Sequence, residues 1–336
     1  MPRTWSLVAA FGLALVLVAA RPSHADPLKL RINWSVTPSH LTPLIPLLPK
    51  SVYRHYGKSY VVEPVLMRGT GPAITALATG DVDIAALSYQ GFALALVNAK
   101  LDCEAIADVL QDRPPNVSDS FWVRRDSGIN RVEDLRGKVI GVNARGSGVD
   151  AGARMMLSKH GLGSENDYHI VEVRFPAMLP ALESKRIDAG FLVNPFDFMA
   201  EKTGNYRPLF SLRDAMGPQV TVVWVAKRSF IAAHRAVIVD LLEDQILGRH
   251  WLGTHRPEMA QLLSQVTKRP ARNFASWVGT RKEADYHSPD LTFDVATLQH
   301  NVDELVQLDA LPTSVPVASH VDLSMAKQAA ARVGMH

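Results

Sequence analysis

Ala76-Leu77-Ala78-Thr79-Gly80-Asp81-Val82-Asp83-Ile84-Ala85-Ala86-Leu87 and Ala181-Leu182-Glu183-Ser184-Lys185-Arg186-Ile187-Asp188-Ala189-Gly190-Phe191-Leu192 are two versions of one pattern, at a constant offset of 105 residues. Each reads as the end of a helix, a tight turn holding an aspartate, and a short apolar strand. After each strand the chain turns polar, as Ser88-Tyr89-Gln90 in one case and Asn194-Pro195-Phe196 in the other. A repeated packing unit would explain this much. Two similar lobes, each ending a strand at a shared cleft, would explain it too. Ligands of open α/β sheets bind beyond the carboxyl ends of the strands, where these two polar segments lie.

The neighbouring sequence keeps the alternation. Residues 28–34, 61–67, 82–87, 138–143, 169–175 and 187–193 read as strands. Residues 71–78, 149–160 and 177–184 read as helices, and 41–56 as a helix made irregular by Pro43, Pro46 and Pro49. Gly71-Pro72 suits a helix start, where the N–H that proline lacks is unbonded anyway. Strands alternating with helices predict an α/β fold with mainly parallel sheets covered on both faces. The last third changes character: 232–251, 258–266 and 292–308 read as helices.

A third segment has its own mechanism. Val139-Ile140-Gly141-Val142-Asn143 runs into Ala144-Arg145-Gly146-Ser147-Gly148, and a helix is expected from about Val149. Glycines let the backbone turn tightly and approach a ligand. The free N–H groups of a helix start favour an anion. Ser147 either donates its hydroxyl or caps the helix. Gly146, Gly148 and Ala151 formally fit a dinucleotide fingerprint, but the next strand ends in Arg174-Phe175-Pro176, without the acid that fingerprint requires. A small-anion site and a plain capped turn stay open.

The chain starts with one basic residue, Arg3, then an uncharged and almost wholly apolar run over 6–20, then Arg21-Pro22 and Ser23-His24-Ala25. That order is the mark of a secretory signal, and the apolar run is short of the roughly 20 residues of a membrane span. Cleavage after Ala25 is expected, with no cysteine beside the site for a lipid anchor and the protein released into the periplasm. Removing Arg3 and Arg21 leaves 34 basic and 33 acidic residues, a near-neutral balance that argues against nucleic acid as a partner. Cys103 is the only cysteine, which excludes an internal disulfide and a cysteine-based metal cluster. There is no nucleophile elbow and no H-E-x-x-H, and the 12 histidines are scattered. No catalytic residue, metal site or cofactor is therefore assigned.

At Arg68-Gly69-Thr70-Gly71-Pro72 with Leu77-Ala78-Thr79-Gly80-Asp81-Val82-Asp83, the sequence resembles the nitrate/sulfonate/taurine type of periplasmic binding protein of ABC importers. Asp126-Ser127-Gly128-Ile129, the run Val132 to Lys138, the Gly146-Ser147-Gly148 turn and Asn194-Pro195-Phe196 fit as well, and the likeness extends from about Leu28 to Gln261. The resemblance implies a type II-like binding-protein fold, with two lobes joined by two crossover strands at about 121–125 and 220–227. Lobe 1 would be 26–121 with 224–336, and lobe 2 the 122–223 between. It also implies ligand contacts from Trp34, Thr37, Pro38, Ser39 and His40, from Ser88, Tyr89 and Gln90, from Gly146, Ser147 and Gly148, and from Asn194, Phe196 and Trp224. Arg68, Arg124 and Arg145 are further candidate anion partners. The related thiamin-pyrimidine synthases use a cysteine-rich segment that one cysteine does not supply.

The expected partners are thus a small anionic solute and an ABC permease at the inner membrane, with the binding protein itself a monomer. Trp34, Tyr89, Phe196 and Trp224 would make an aromatic cleft, which prefers a planar apolar body. This points to an organic sulfonate or carboxylate ahead of bare nitrate or bicarbonate. A ligand-sensing adaptor using the same cleft is the other class of function the sequence admits.

Overall fold

The structure is a computed structural model, described over residues 26–67, 69–113, 120–164, 166–275 and 286–335. The expected signal segment 1–25 and the candidate Arg68 lie outside the described residues.

The first stretch runs β1 (Leu28–Trp34), β2 (Tyr60–Leu66), α1 (Thr70–Thr79), β3 (Ile84–Ser88), α2 (Tyr89–Val97) and β4 (Cys103–Asp112). The second runs β5 (Ser120–Arg124), β6 (Val139–Val142), α3 (Gly148–Lys159), β7 (His169–Glu172), α4 (Phe175–Glu183), β8 (Ala189–Leu192), α5 (Phe196–Thr203), β9 (Tyr206–Ser211) and α6 (Leu212–Met216). The chain then returns through β10 (Gln219–Lys227) into α7 (Arg228–Thr254), α8 (Arg256–Thr267), α9 (Arg272–Ala275), α10 (Val295–Gln307) and α11 (Ser324–Arg332).

Among the described residues the strands form two five-stranded sheets, ordered β2-β1-β3-β10-β4 and β7-β6-β8-β5-β9. The two share one plan. Three strands are parallel, and the fourth is antiparallel to both its neighbours. In each sheet that fourth strand follows directly on a strand of the other sheet, so β5 and β10 carry the chain across and back. β5 lies wholly in the second sheet and β10 wholly in the first, so Ser120 and Phe121 belong with the second and Gln219 to Val223 with the first.

The repeat read from sequence is visible as hydrogen bonds. Asp83 donates its N–H to the Arg31 carbonyl at 2.9 Å, and its carboxylate accepts the Arg31 N–H at 2.8 Å. Asp188 does the same to Val139, at 2.8 Å and 3.0 Å. Each aspartate thus closes the turn and locks its strand to the neighbouring one, and each charge-assisted bond is worth roughly 2 kcal/mol. Asp83 also takes the Arg31 guanidinium at 2.7 Å. The turn needs a left-handed residue: Gly80 supplies it at φ 82°, Lys185 at φ 58°.

One expected helix is absent. Residues 41–56 form two short 3-10 turns, Thr42–Leu47 and Lys50–Val52, because three prolines remove N–H donors from any longer ladder. On one face of the first sheet, Leu30, Ile32, Tyr60 and Trp224 pack against Ile238, Leu242 and Met325 from α7 and α11. The C-terminal helix is therefore docked on the body. The other core cluster is shared between halves: Leu77, Leu87 and Phe92 of the first are continuous with Phe121, Phe191 and Leu192 of the second. The two lobes are closed on each other. Among the described residues no helix is long and apolar enough to cross a membrane.

Candidate functional site

The carboxyl ends of β1, β2, β3 and β6 and the amino ends of α1, α2 and α3 meet between the lobes, around two adjoining chambers. The inner chamber has a volume of about 100 Å³ and the outer about 500 Å³. Ser35, Val36, Gly69, Asn143 and Phe175 line both.

The inner chamber sets short polar groups in a mostly apolar wall that includes Met67, Leu87, Leu110, Phe191 and Leu212. Ser39 and His40 come from the loop after β1, and Gly69 and Thr70 from the uncapped start of α1. Ser88 and Tyr89 open α2, and Ser147, Gly148 and Val149 open α3. Asn33, Asn143 and Thr221 complete the polar part. Three helix amino ends face this one space, each adding roughly 0.3–1 kcal/mol for a facing anion. Among the described residues three polar groups here have no partner: the Ser39 hydroxyl, His40 Nδ1 and the Thr221 hydroxyl. Ser39 and His40 are buried to 1 % and 5 % exposure, so their unmet hydrogen-bonding capacity costs stability until something in the chamber takes it.

Charge is as informative as hydrogen bonding. No Asp, Glu, Lys or Arg lines the inner chamber among the described residues. Burial pushes the pKa of His40 down to about 4, so its ring is neutral at ordinary pH. Burial likewise holds the Tyr89 hydroxyl above its usual range, which keeps it a donor. It donates towards the Gly148 carbonyl at 3.3 Å, with Met216 Sδ at 3.1 Å, and so ties α2 of one lobe to α3 and α6 of the other. The approach at Gly148 is tight, since a Cβ would stand 3.2 Å from Tyr89 Cε1.

The outer chamber is larger and differently furnished. Trp34, Phe175 and Phe196 give it ring faces, Leu66 and Val266 add apolar wall, and Arg174 and Arg269 bring two cations. The amino ends of α4 and α5 open on it. No acid lines it among the described residues.

The residues expected from sequence divide accordingly. Ser39, His40, Ser88, Tyr89, Ser147 and Gly148 line the inner chamber; Trp34, Thr37 and Phe196 line the outer. Pro38, Gln90, Gly146, Asn194 and Trp224 line neither. Trp224 is corrected to the core because β10 is antiparallel to β3, so its amino end, Thr221 and Val222, reaches the chamber and Trp224 sits deeper, opposite Ala86. Asn194 is fully buried, with its amide nitrogen turned to the Asp197 carboxylate at 3.0 Å. Gly146 gives its N–H to Asp150 at 3.0 Å. Ser147 acts as a cap: its oxygen accepts from the Asp150 N–H at 3.3 Å while its hydroxyl faces Asn143 and the Ala144 carbonyl. Arg124 is spent on the Leu182 carbonyl at 2.8 Å and Arg145 on the Ile170 carbonyl at 2.8 Å, away from both chambers.

Sequence reasoning missed Asn33, Thr70, Asn143, Phe175, Thr221, Arg174 and Arg269. The repeat held a signal for one pair: α1 and α4 start 105 residues apart, at Thr70 and Phe175, so a site at one start implies a site at the other.

A family model described as NMT1/THI5 like matches residues 62–245. Comparison with curated proteins finds no match. The chain is similar in structure to the periplasmic aliphatic sulphonate binding protein SsuA from Escherichia coli, at 19% identity and TM-score 0.68, covering 88% of this chain and 92% of that one. It is similar to the periplasmic nitrate-binding protein NrtA from Synechocystis PCC 6803, at 14% identity and TM-score 0.71, covering 92% and 89%. It also resembles the desulfurization enzyme DSZB, at 16% identity and TM-score 0.61, covering 91% and 99%. At these identities the likeness establishes the fold alone.

Proposed function

The chain belongs to the NMT1/THI5-like family, and from that premise we propose that it is an exported solute-binding protein of an ABC importer, capturing a small organic anion between its lobes. One observation carries the reading. A chamber whose mostly apolar wall carries hydroxyls, amides and three helix amino ends has no acid and no Lys or Arg in its lining among the described residues. Neutral donors of this kind suit an anion that must be bound and then released, because neither partner leaves a bare charge behind when the lobes open. The sulphonate- and nitrate-binding relatives of the same fold support an anion, and the aromatic outer chamber supports one with an organic body.

Closure supplies the mechanism. The ligand touches α1 and α2 of one lobe and α3 of the other, so it favours the arrangement in which all three surround it. The closed form is what the permease would recognise. Export by the segment 1–25, action in the periplasm and a monomeric state complete the proposal.

The DSZB likeness raises the alternative of turnover. A cysteine-based reaction finds no support here, since Cys103, the sole cysteine, lies outside both chambers and burial pushes its thiol up to about 12.

Thermal unfolding of the purified protein against alkyl and aryl sulfonates, carboxylates, nitrate and bicarbonate tests the reading. A ligand at 100 times its Kd adds about 2.7 kcal/mol, visible as a rise of several degrees. A rise with organic anions is expected. Stabilisation only by cations or neutral solutes would overturn the anion reading, and stabilisation by nitrate alone would overturn the organic one.

A further inference from the structure

We infer, resting on the anion-binding reading above, that the ligand has two anionic ends: a compact head in the inner chamber and a second carboxylate or sulfonate held between Arg174 and Arg269 in the outer one.

The outer chamber is the larger by about 500 Å³ to 100 Å³, and it adjoins the inner across Asn143, Gly69 and Phe175. A single small anion in the inner chamber would leave it without a task. Its ring faces, Trp34, Phe175 and Phe196, fit a planar apolar body leading outward. An apolar tail alone does not account for two arginines at the end of that path. They come from different lobes, Arg174 from the start of α4 and Arg269 from just beyond α8. Among the described residues neither has a carboxylate within ion-pair distance, whereas Arg31 and Arg249 are each bonded to an aspartate. Arg269 is aimed across the lobe boundary: its guanidinium lies 4.9 Å over the Phe196 ring, with Nη1 3.7 Å from Met199 Sδ. That contact orients the planar fork and leaves N–H donors for a bidentate oxyanion. Both arginines line one chamber that no acid lines among the described residues, so an anion entering it meets two cations. The reverse placement, with a lone anion on the arginines and its apolar body in the inner chamber, would leave the Ser39 and Thr221 hydroxyls unmet.

Matched pairs of probes test this by calorimetric titration of the purified protein: benzenesulfonate against 3- and 4-sulfobenzoate, and benzoate against the three phthalates. At least one dianion is expected to bind about tenfold or more tightly than its matched monoanion, as a charge-assisted bidentate contact allows. In Arg174→Gln and Arg269→Gln that advantage is expected to vanish, the dianion falling to the affinity of its matched monoanion in the same variant. Arg269→Lys should keep part of it, because the charge remains and the fork is lost. Equal binding of monoanion and dianion overturns the inference and leaves the anion reading standing. So does an equal loss for both in the arginine variants, which would place a single anion on the arginines. Failure of every anion to bind overturns the anion reading itself.

Discussion

The two lobes are one scaffold furnished twice. In the first, β3 ends in Ser88, which caps α2 directly through a 3.1 Å bond from the Gly91 N–H, so the helix amino end stands against the inner chamber. In the second, β8 ends at Leu192, and Val193, Asn194 and Pro195 intervene before α5 starts at Phe196, so that helix opens on the outer chamber. The starts of α1 and α4 differ in the same sense: Gly69 and Thr70 are small and neutral, Arg174 and Phe175 bulky, one cationic and one aromatic. With the backbone plan held constant, side-chain choice at equivalent helix ends sets small neutral groups at the first lobe's ends and bulky aromatic or cationic ones at the second lobe's. α3 is the exception, a helix end of the second lobe that serves the inner chamber through Gly148.

The largest expected effect is at that exception. In Gly148→Val a branched side chain would be forced against the fully buried Tyr89 ring, which a Cβ alone already approaches to 3.2 Å. The conflict exists only when the lobes are closed. Titration should show affinity for every anion falling by at least about 100-fold, the arithmetic of displacing a two-state closure by a few kcal/mol. Thermal unfolding without ligand should move little. Unchanged affinity would show that closure of α2 on α3 is not linked to binding, and would remove the junction on which the comparison depends.

Thr221→Val comes next and asks whether neutral hydroxyls hold the head. The shape is kept and one unpartnered hydroxyl is removed. Affinity should fall about tenfold for sulfonates and carboxylates alike, the value of one hydrogen bond to a charged group. The ligand-free protein should become slightly more stable, because a buried donor without a partner is gone. Falling affinity with rising stability is the signature of a binding residue. A loss of both would assign Thr221 to the fold.

That such a residue escaped the sequence reading has a physical reason. The repeat, its strands and its aspartate turns were legible because each depends on residues close in the chain: Asp83 with Arg31 and Asp188 with Val139 follow from a local pattern of apolar runs and turns. Ser88, Tyr89 and Ser147 were legible because a strand end followed by a helix start places them. Trp224 and Thr221 were not, since which end of β10 meets the chamber depends on its running antiparallel to β3, and nothing in its nine residues states that. Gly146 lines neither chamber. Its φ of 70° explains the glycine by the turn alone, without any ligand. Arg174 and Arg269 are 95 positions apart and converge only through lobe packing.

The smallest effect expected concerns His40, and its smallness is the point. If the inner chamber works through neutral groups, affinity should not change with pH while His40 stays neutral, and burial pushes its pKa down to about 4. Between about pH 8 and pH 5, anion affinity should vary less than twofold at constant ionic strength, since neither His40 nor a ligand of low pKa takes up a proton there. Stability behaves otherwise. Above about pH 6.5 the histidine is neutral in both states, and as pH falls from there to 4 only the unfolded chain gains a proton, so stability drops. His287, lowered to about 3 by burial, acts in the same direction, whereas Asp108, raised to about 6 by burial, opposes them because the folded state holds its proton longer. The comparison of wild type with His40→Gln isolates one contribution. The variant should lose less stability between pH 6.5 and pH 4 by about 2–3 kcal/mol, with no gain or loss in the pH dependence of affinity. A steep rise of affinity towards pH 5 that disappears in His40→Gln would mean that the inner chamber acquires a cation when it binds. Both chambers would then read charge, and the division between them would fall.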